Sequence, residues 1–116
     1  LVAPNCPPEI AAELFDSIVL LRVEPYLKTL RATTVFDALA AMDEINVPVQ
    51  LIFGEHDRLS PPSVGEEMVN LIADARLSVL EGAGHLSNLE RPTQFNDTLR
   101  SFLAPRATFA SYRERL

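Results

Sequence analysis

A single cysteine, Cys6, is all the thiol chemistry this 116-residue chain holds. One cysteine cannot close an internal disulfide, and Cys6 has no companions at zinc-ligand spacing, so neither a disulfide scaffold nor a metal site is expected. The setting that fits is reducing and cytoplasmic, with no metal or organic cofactor. Long apolar runs are missing as well. The longest strictly aliphatic run, residues 18 to 21, is four residues, whereas a membrane span needs about 18. A membrane partner is therefore not expected. Positive charge is scarce: ten Lys and Arg stand against sixteen Asp and Glu, a net charge of -6. With no basic cluster to follow a phosphate backbone, nucleic acid is a poor partner. Glycine is scarce too, four residues in all, yet Gly54, Gly82 and Gly84 fall in just two short loops.

What remains is an ordinary globular composition, 47% hydrophobic and 22% charged, long enough for one small domain. No internal repeat and no low-complexity linker divides it. The chain opens on Leu1 rather than Met, and Leu-Val-Ala-Pro lacks both the basic start and the apolar core of a signal peptide. The expectation is a piece cut from a longer chain.

Residues 1 to 45 read as a helical layer. Ile10, Leu14, Ile18 and Leu21 recur at steps of four, four and three, and Pro8 suits a first helical turn, which predicts an amphipathic helix over residues 8 to 21. A second helix follows Pro25, with Tyr26, Leu27 and Leu30 near one side, and a third short turn runs from Asp37 through Leu39 and Met42 towards Ile45. Asn46 and the restriction placed on the residue before Pro48 end it.

From residue 46 to 104 the character changes. Val49-Gln50-Leu51-Ile52-Phe53, closed by Gly54, predicts a strand buried on both faces. Ser60-Pro61-Pro62-Ser63 opens a helix, with Ser63 and Glu66 at capping-box spacing and Val64, Met68, Leu71 and Ile72 turned inward. Residues 76 to 80 form the next strand. Pro92 then starts a last helix with Phe95, Leu99, Phe102 and Leu103 in one stripe, closed by Pro105. Residues 105 to 116 form a tail to which no function attaches.

Strand, helix, strand, helix is a βαβα unit, whose strands run parallel. Adjacent parallel strands lie ~4.8 Å apart, so the loops after them leave one edge of the sheet, where ligand crevices of open parallel sheets form. Those loops are Gly54-Glu55-His56-Asp57 and Gly82-Ala83-Gly84-His85, which place Asp57 and His85 28 residues apart. Acyl transfer by a nucleophile and a histidine needs this couple: the imidazole takes a proton at one nitrogen while a buried carboxylate holds the other in the right tautomer. An Asp after a strand is alone often a turn residue, and a lone loop His is usually solvated. Finding both, each beyond its own strand and each in a glycine-bearing loop, favours the functional reading.

The stretch Ile45-Asn46-Val47-Pro48 through Gly54-Glu55-His56-Asp57, then Pro61-Pro62, then Gly82-Ala83-Gly84-His85-Leu86-Ser87-Asn88-Leu89-Glu90-Arg91-Pro92, then Phe95-Asn96 and Phe102-Leu103, resembles the C-terminal third of the α/β-hydrolase fold. Within that family His85-Leu86-Ser87-Asn88 followed by Glu90 and Pro92 is most similar to the 3-oxoadipate enol-lactonase-like hydrolases. The resemblance implies that Asp57 is the acid and His85 the general base of a triad, that residues 1 to 45 are the end of a cap domain, and that the substrate is a small carboxylic ester or lactone.

The nucleophile elbow is the departure. No serine here has glycine two before and two after it, and Ser63 has Gly65 after it but Pro61 before it. Cys6, followed by Pro7 and Pro8, is a poor substitute. The nucleophile and oxyanion donors are thus expected upstream of Leu1, in the remainder of the hydrolase core, and the fragment alone is expected to be inactive. An acyltransferase, dehalogenase or epoxide hydrolase would keep the same two residues, and a non-enzymatic binding module would use the uncovered sheet edge instead. Among lesser candidates, His56 reads as an exposed bystander. Glu90 or Asn88 would anchor the His85 loop through free N–H groups of the helix near Pro92. Leu86 and Leu89 would line an acyl pocket or pack, while Tyr26 and Phe36 read as core.

Overall fold

The computed structural model describes residues 1–35 and 39–104. Helix α1 spans Pro8–Val19 with Pro8 in its first turn, and the Leu20 N–H closes it on the Asp16 carbonyl. Helix α2, Val23–Val35, starts ahead of the expected point, with Pro25 inside its first turn, where a missing N–H costs nothing. Neither helix buries the face that its periodicity marks: Ile18, Tyr26, Leu27 and Leu30 are exposed. Next comes a 3-10 turn over Leu39–Glu44, followed by an Ile45 N–H bond to Met42. Residues 36 and 37, and with them Phe36 and the expected start of that turn, lie outside the described residues.

Strands β1, Val49–Gly54, and β2, Ala75–Leu80, pair in parallel with Val49 opposite Ala75 and Gly54 opposite Leu80. Both chain directions and lengths match, so the two strands end side by side. Helix α3, Pro62–Leu71, connects them. It lies against the face carrying Phe53 and Leu77, whose side chains come within 2.9 and 2.7 Å of where a Cβ on the buried Gly65 would stand. Helix α5, Pro92–Leu103, covers the opposite face, where Phe102 and Ser101 share a pocket of about 470 Å³ with Gln50, Arg76 and Ser78.

Four expectations are corrected. Ser63 does not cap α3: Pro61 occupies the cap position without a side-chain bond, because the two prolines start the helix before Ser63 is reached. Val64 and Leu71 face outward while Ile72 is buried. The strands are not sealed on both faces either. Only Leu51 and Gly54 of β1 and Leu80 of β2 are buried, since a two-stranded sheet flanked by single helices leaves its margins open. On α5, Phe95 and Phe102 are half-buried but Leu99 and Leu103 face out. Pro105 and the tail lie outside the described residues.

A four-residue helix, α4, Ser87–Glu90, had no counterpart in the sequence reading. It belongs to the best-packed part of the chain. Gly54, Asp57, Leu80, Gly82, Ala83, Gly84, Ser87 and Glu90 are all buried, and Ala3 joins them from the chain start. The densest packing thus sits where β1 and β2 end.

Candidate active site

Each loop leaves its strand under tight constraint. A Cβ on Gly54 would overlap the Gly84 carbonyl oxygen and lie 2.6 Å from that of Ala83, so only glycine lets the two loops approach. Gly82 has φ +66, a left-handed conformation that costs glycine little and other residues much. The loops are cross-linked through their backbones. The Glu55 N–H donates to Leu80 at 3.0 Å and the His56 N–H to Ala83 at 2.8 Å, while the Gly82 N–H donates to Glu55 Oε2 at 2.9 Å.

This scaffold brings Asp57 and His85 together. His85 Nδ1 lies 2.8 Å from Asp57 Oδ2, the length of a charge-assisted hydrogen bond. Asp57 is 7% exposed, and its other oxygen, Oδ1, accepts the N–H groups of Leu59 at 2.9 Å and Ser60 at 3.0 Å. Burial pushes the Asp57 carboxyl up. The Ser60 N–H, the His85 side chain, the Leu59 N–H and the charge on His85 together outweigh burial and hold it below its ordinary value of 3.8. An ionised carboxylate can only accept, so Nδ1 must carry the proton. In the neutral imidazole Nε2 is then left with its lone pair. Among the described residues nothing hydrogen-bonds it, and 36% of the His85 side chain is exposed. A fixed carboxylate, an oriented imidazole and an open basic nitrogen can move a proton to and from a reacting group.

The other candidates divide. His56 is exposed, and its Nε2 sits 3.7 Å from Glu55 Oε2. Glu90 does anchor the His85 loop, but through partners other than those expected: Oε1 accepts the Gly84 N–H at 3.1 Å and Oε2 the Ala3 N–H at 2.7 Å. Asn88 is exposed. A cleft of about 460 Å³ beside Asp57 is lined by Leu1, Val2, Pro4, Glu55, His56 and Arg58; Leu86 and Leu89 do not line it. Leu1, Val2 and Pro4, which carried no signal in the sequence, therefore form one wall of this cleft. Cys6 is half-buried, and burial, followed by the Glu90 charge, pushes its thiol up, the wrong direction for a nucleophile. Ser63 is on α3 and Tyr26 is exposed on α2. Among the described residues no group of three His, Cys, Asp or Glu is placed to hold a metal ion, and no helix is long and apolar enough to cross a membrane.

Comparison with known proteins sets this geometry in a family. The sequence model described as "Alpha/beta hydrolase family" matches residues 3–98. The chain is 37% identical over 67 residues to a pimeloyl-acyl-carrier-protein methyl ester esterase of Neisseria meningitidis serogroup B, covering 58% of this chain and 26% of that protein. It is 29% identical over 96 residues to 3-oxoadipate enol-lactonase 2 of Acinetobacter baylyi, covering 83% and 36%. Among solved structures, the enol-lactonase from Burkholderia xenovorans LB400 superposes with a TM-score of 0.80 at 34% identity, covering 84% of this chain and 37% of that one. The chain thus spans about a quarter to a third of the length of these relatives. With parallel strands that end on a hydrogen-bonded Asp and His, and with a family match over most of its length, the chain belongs to the α/β-hydrolase family.

Proposed function

We propose that this chain carries the acid and the base of a nucleophile-His-Asp triad that cleaves a carboxylic ester or lactone, and that the nucleophile and oxyanion donors come from sequence preceding Leu1. The observation that carries the reading is the 2.8 Å bond between buried Asp57 and half-exposed His85 at the ends of adjacent parallel strands. Residues 46–104 supply the C-terminal βαβα part of the core in this reading, residues 1–45 the end of a cap, and residues 105–116 a tail.

In the whole enzyme His85 Nε2 takes the proton of the nucleophile as it attacks the carbonyl carbon. The Nδ1 proton stays on His85, and the Asp57 carboxylate stabilises the imidazolium. Collapse of the tetrahedral intermediate breaks the ester bond, and the leaving alkoxide takes the Nε2 proton. His85 then removes a proton from water, which attacks the acyl-enzyme; the acyl bond to the nucleophile breaks, the acid is released, and the Nε2 proton returns to the nucleophile. No step draws on a metal or organic cofactor. The similarity to a methyl ester esterase and to enol-lactonases supports a small ester or lactone as substrate.

Hydrolysis of p-nitrophenyl acetate by the 116-residue chain tests the division of labour. The expected rate equals that of its His85→Ala variant, since the elements that bind the oxyanion and attack the carbonyl are elsewhere. Turnover that is well above background and survives His85→Ala would overturn the assignment.

A further inference from the structure

Glu90 is a buried carboxylate that the proton transfers do not use. It is 3% exposed, and among the described residues no cation lies within ion-pair distance of it: the neighbouring Arg91 guanidinium instead donates to the Glu90 carbonyl oxygen at 2.7 Å. A buried charge without a counter-ion is costly unless hydrogen bonds satisfy it. Two backbone donors do so, one from the His85 loop and one from the chain start. Gly84 immediately precedes His85, and Ala3 is 87 residues from Glu90. The adjacent amide reinforces the link, with the His85 N–H donating to the Leu1 carbonyl at 2.7 Å. The contact is close-fitting, since a Cβ on Gly84 would come within 2.6 Å of the Ala3 nitrogen and 2.7 Å of the Val2 carbonyl carbon.

We infer that Glu90 is a positioning residue, a carboxylate staple that fastens the His85 loop to residues 1–3 and thereby sets both the imidazole on Asp57 and the wall of the adjoining cleft. A carboxylate accepts with both oxygens, as this arrangement demands. An amide in its place would aim an N–H at one of the two backbone donors. The His85 loop is then held from both sides, by the His56 N–H of the Asp57 loop, which donates to the Ala83 carbonyl, and by Glu90, which ties it to the first segment. This inference rests on the Asp57–His85 pairing used in the proposed function, and its test reads that pairing without any turnover.

The test is the tautomer of His85 in the full 116-residue chain, read from imidazole nitrogen chemical shifts at neutral pH in wild type, Glu90→Gln, Ala3→Pro and Asp57→Asn. Ala3→Pro removes the N–H that Oε2 accepts and leaves the carboxylate in place, so it serves where Glu90→Gln fails to fold. The proton sits on Nδ1 in the wild type because that nitrogen faces the carboxylate. Glu90→Gln and Ala3→Pro are each expected to lower the Nδ1–H to Nε2–H ratio by about tenfold, the loss of one buried hydrogen bond, while the dispersed amide spectrum of the β1–β2 pair persists. Asp57→Asn gives the reference for a broken pair. If it shifts the tautomer and neither clamp variant does, the staple is overturned and the pairing stands. If even Asp57→Asn leaves the tautomer unchanged, pairing and staple fall together.

Discussion

The carboxyl of Asp57 gives up its proton more readily in the folded chain than in the unfolded one, because three hydrogen bonds outweigh the burial that opposes them. The unfolded chain therefore binds more protons around the carboxylate range, and stability rises with pH there. The contribution is fully present above the unfolded value of about 3.9 and is lost as pH falls through the lower folded value. The urea midpoint of the chain should accordingly exceed that of Asp57→Asn at neutral pH, and the gap should narrow progressively as pH falls below about 3.9. A gap that does not depend on pH would contradict the hydrogen-bonded carboxylate. The bonds from Leu59 and Ser60 leave one oxygen, Oδ2, for His85. That arrangement explains why Asp57 and not Glu55, which is spent on the Gly82 N–H, meets the imidazole.

Among the elements, the glycines make opposite demands on substitution. Gly54→Ala would drive a methyl group into backbone carbonyls of the facing loop, which have nowhere to go. It should destabilise the chain by about 3 kcal/mol. Gly65→Ala meets the ends of two side chains, Leu77 and Phe53, and recovers up to ~1 kcal/mol of helix propensity; its net effect should stay within about 1 kcal/mol. Urea denaturation separates the two, and a Gly54→Ala variant as stable as wild type would mean that the loops are not in contact. Strands β1 and β2 and helices α3 and α5 were legible because apolar runs closed by glycine and prolines at helix starts are local signals. Their parallel pairing followed from the crossover. Ser63 misled because capping-box spacing is also local, and the Pro61-Pro62 pair overrode it. Helix α4 is too short to show a period. The bond from Glu90 to Ala3 joins residues 87 apart, a separation no spacing rule covers. Amphipathic spacing in α1 likewise marked an apolar face without saying what covers it.

Seen as a whole molecule, the described chain keeps large apolar side chains in water: Leu20 is 82% exposed, Val23 70% and Phe15 66%. Surfaces of that kind normally face protein. The hydrolase reading assigns their cover to the parts of the enzyme that this chain does not span, so the isolated chain should associate without fixed stoichiometry and bind a hydrophobic dye. Sedimentation velocity across a concentration series decides the point. A single oligomer of defined size would favour a binding module that uses this surface, and a strict monomer with cooperative unfolding would leave that alternative without support. Both readings share one claim, that Asp57 and His85 sit together; only the hydrolase reading makes them a catalytic unit. The most direct measurement of that is kcat/KM for a small ester in the parent enzyme carrying His85→Ala, Asp57→Asn or both. Each single change should cost a factor of ~10⁴ or more and the double change little beyond the larger single loss, whereas a loss below about tenfold in either would contradict the assignment.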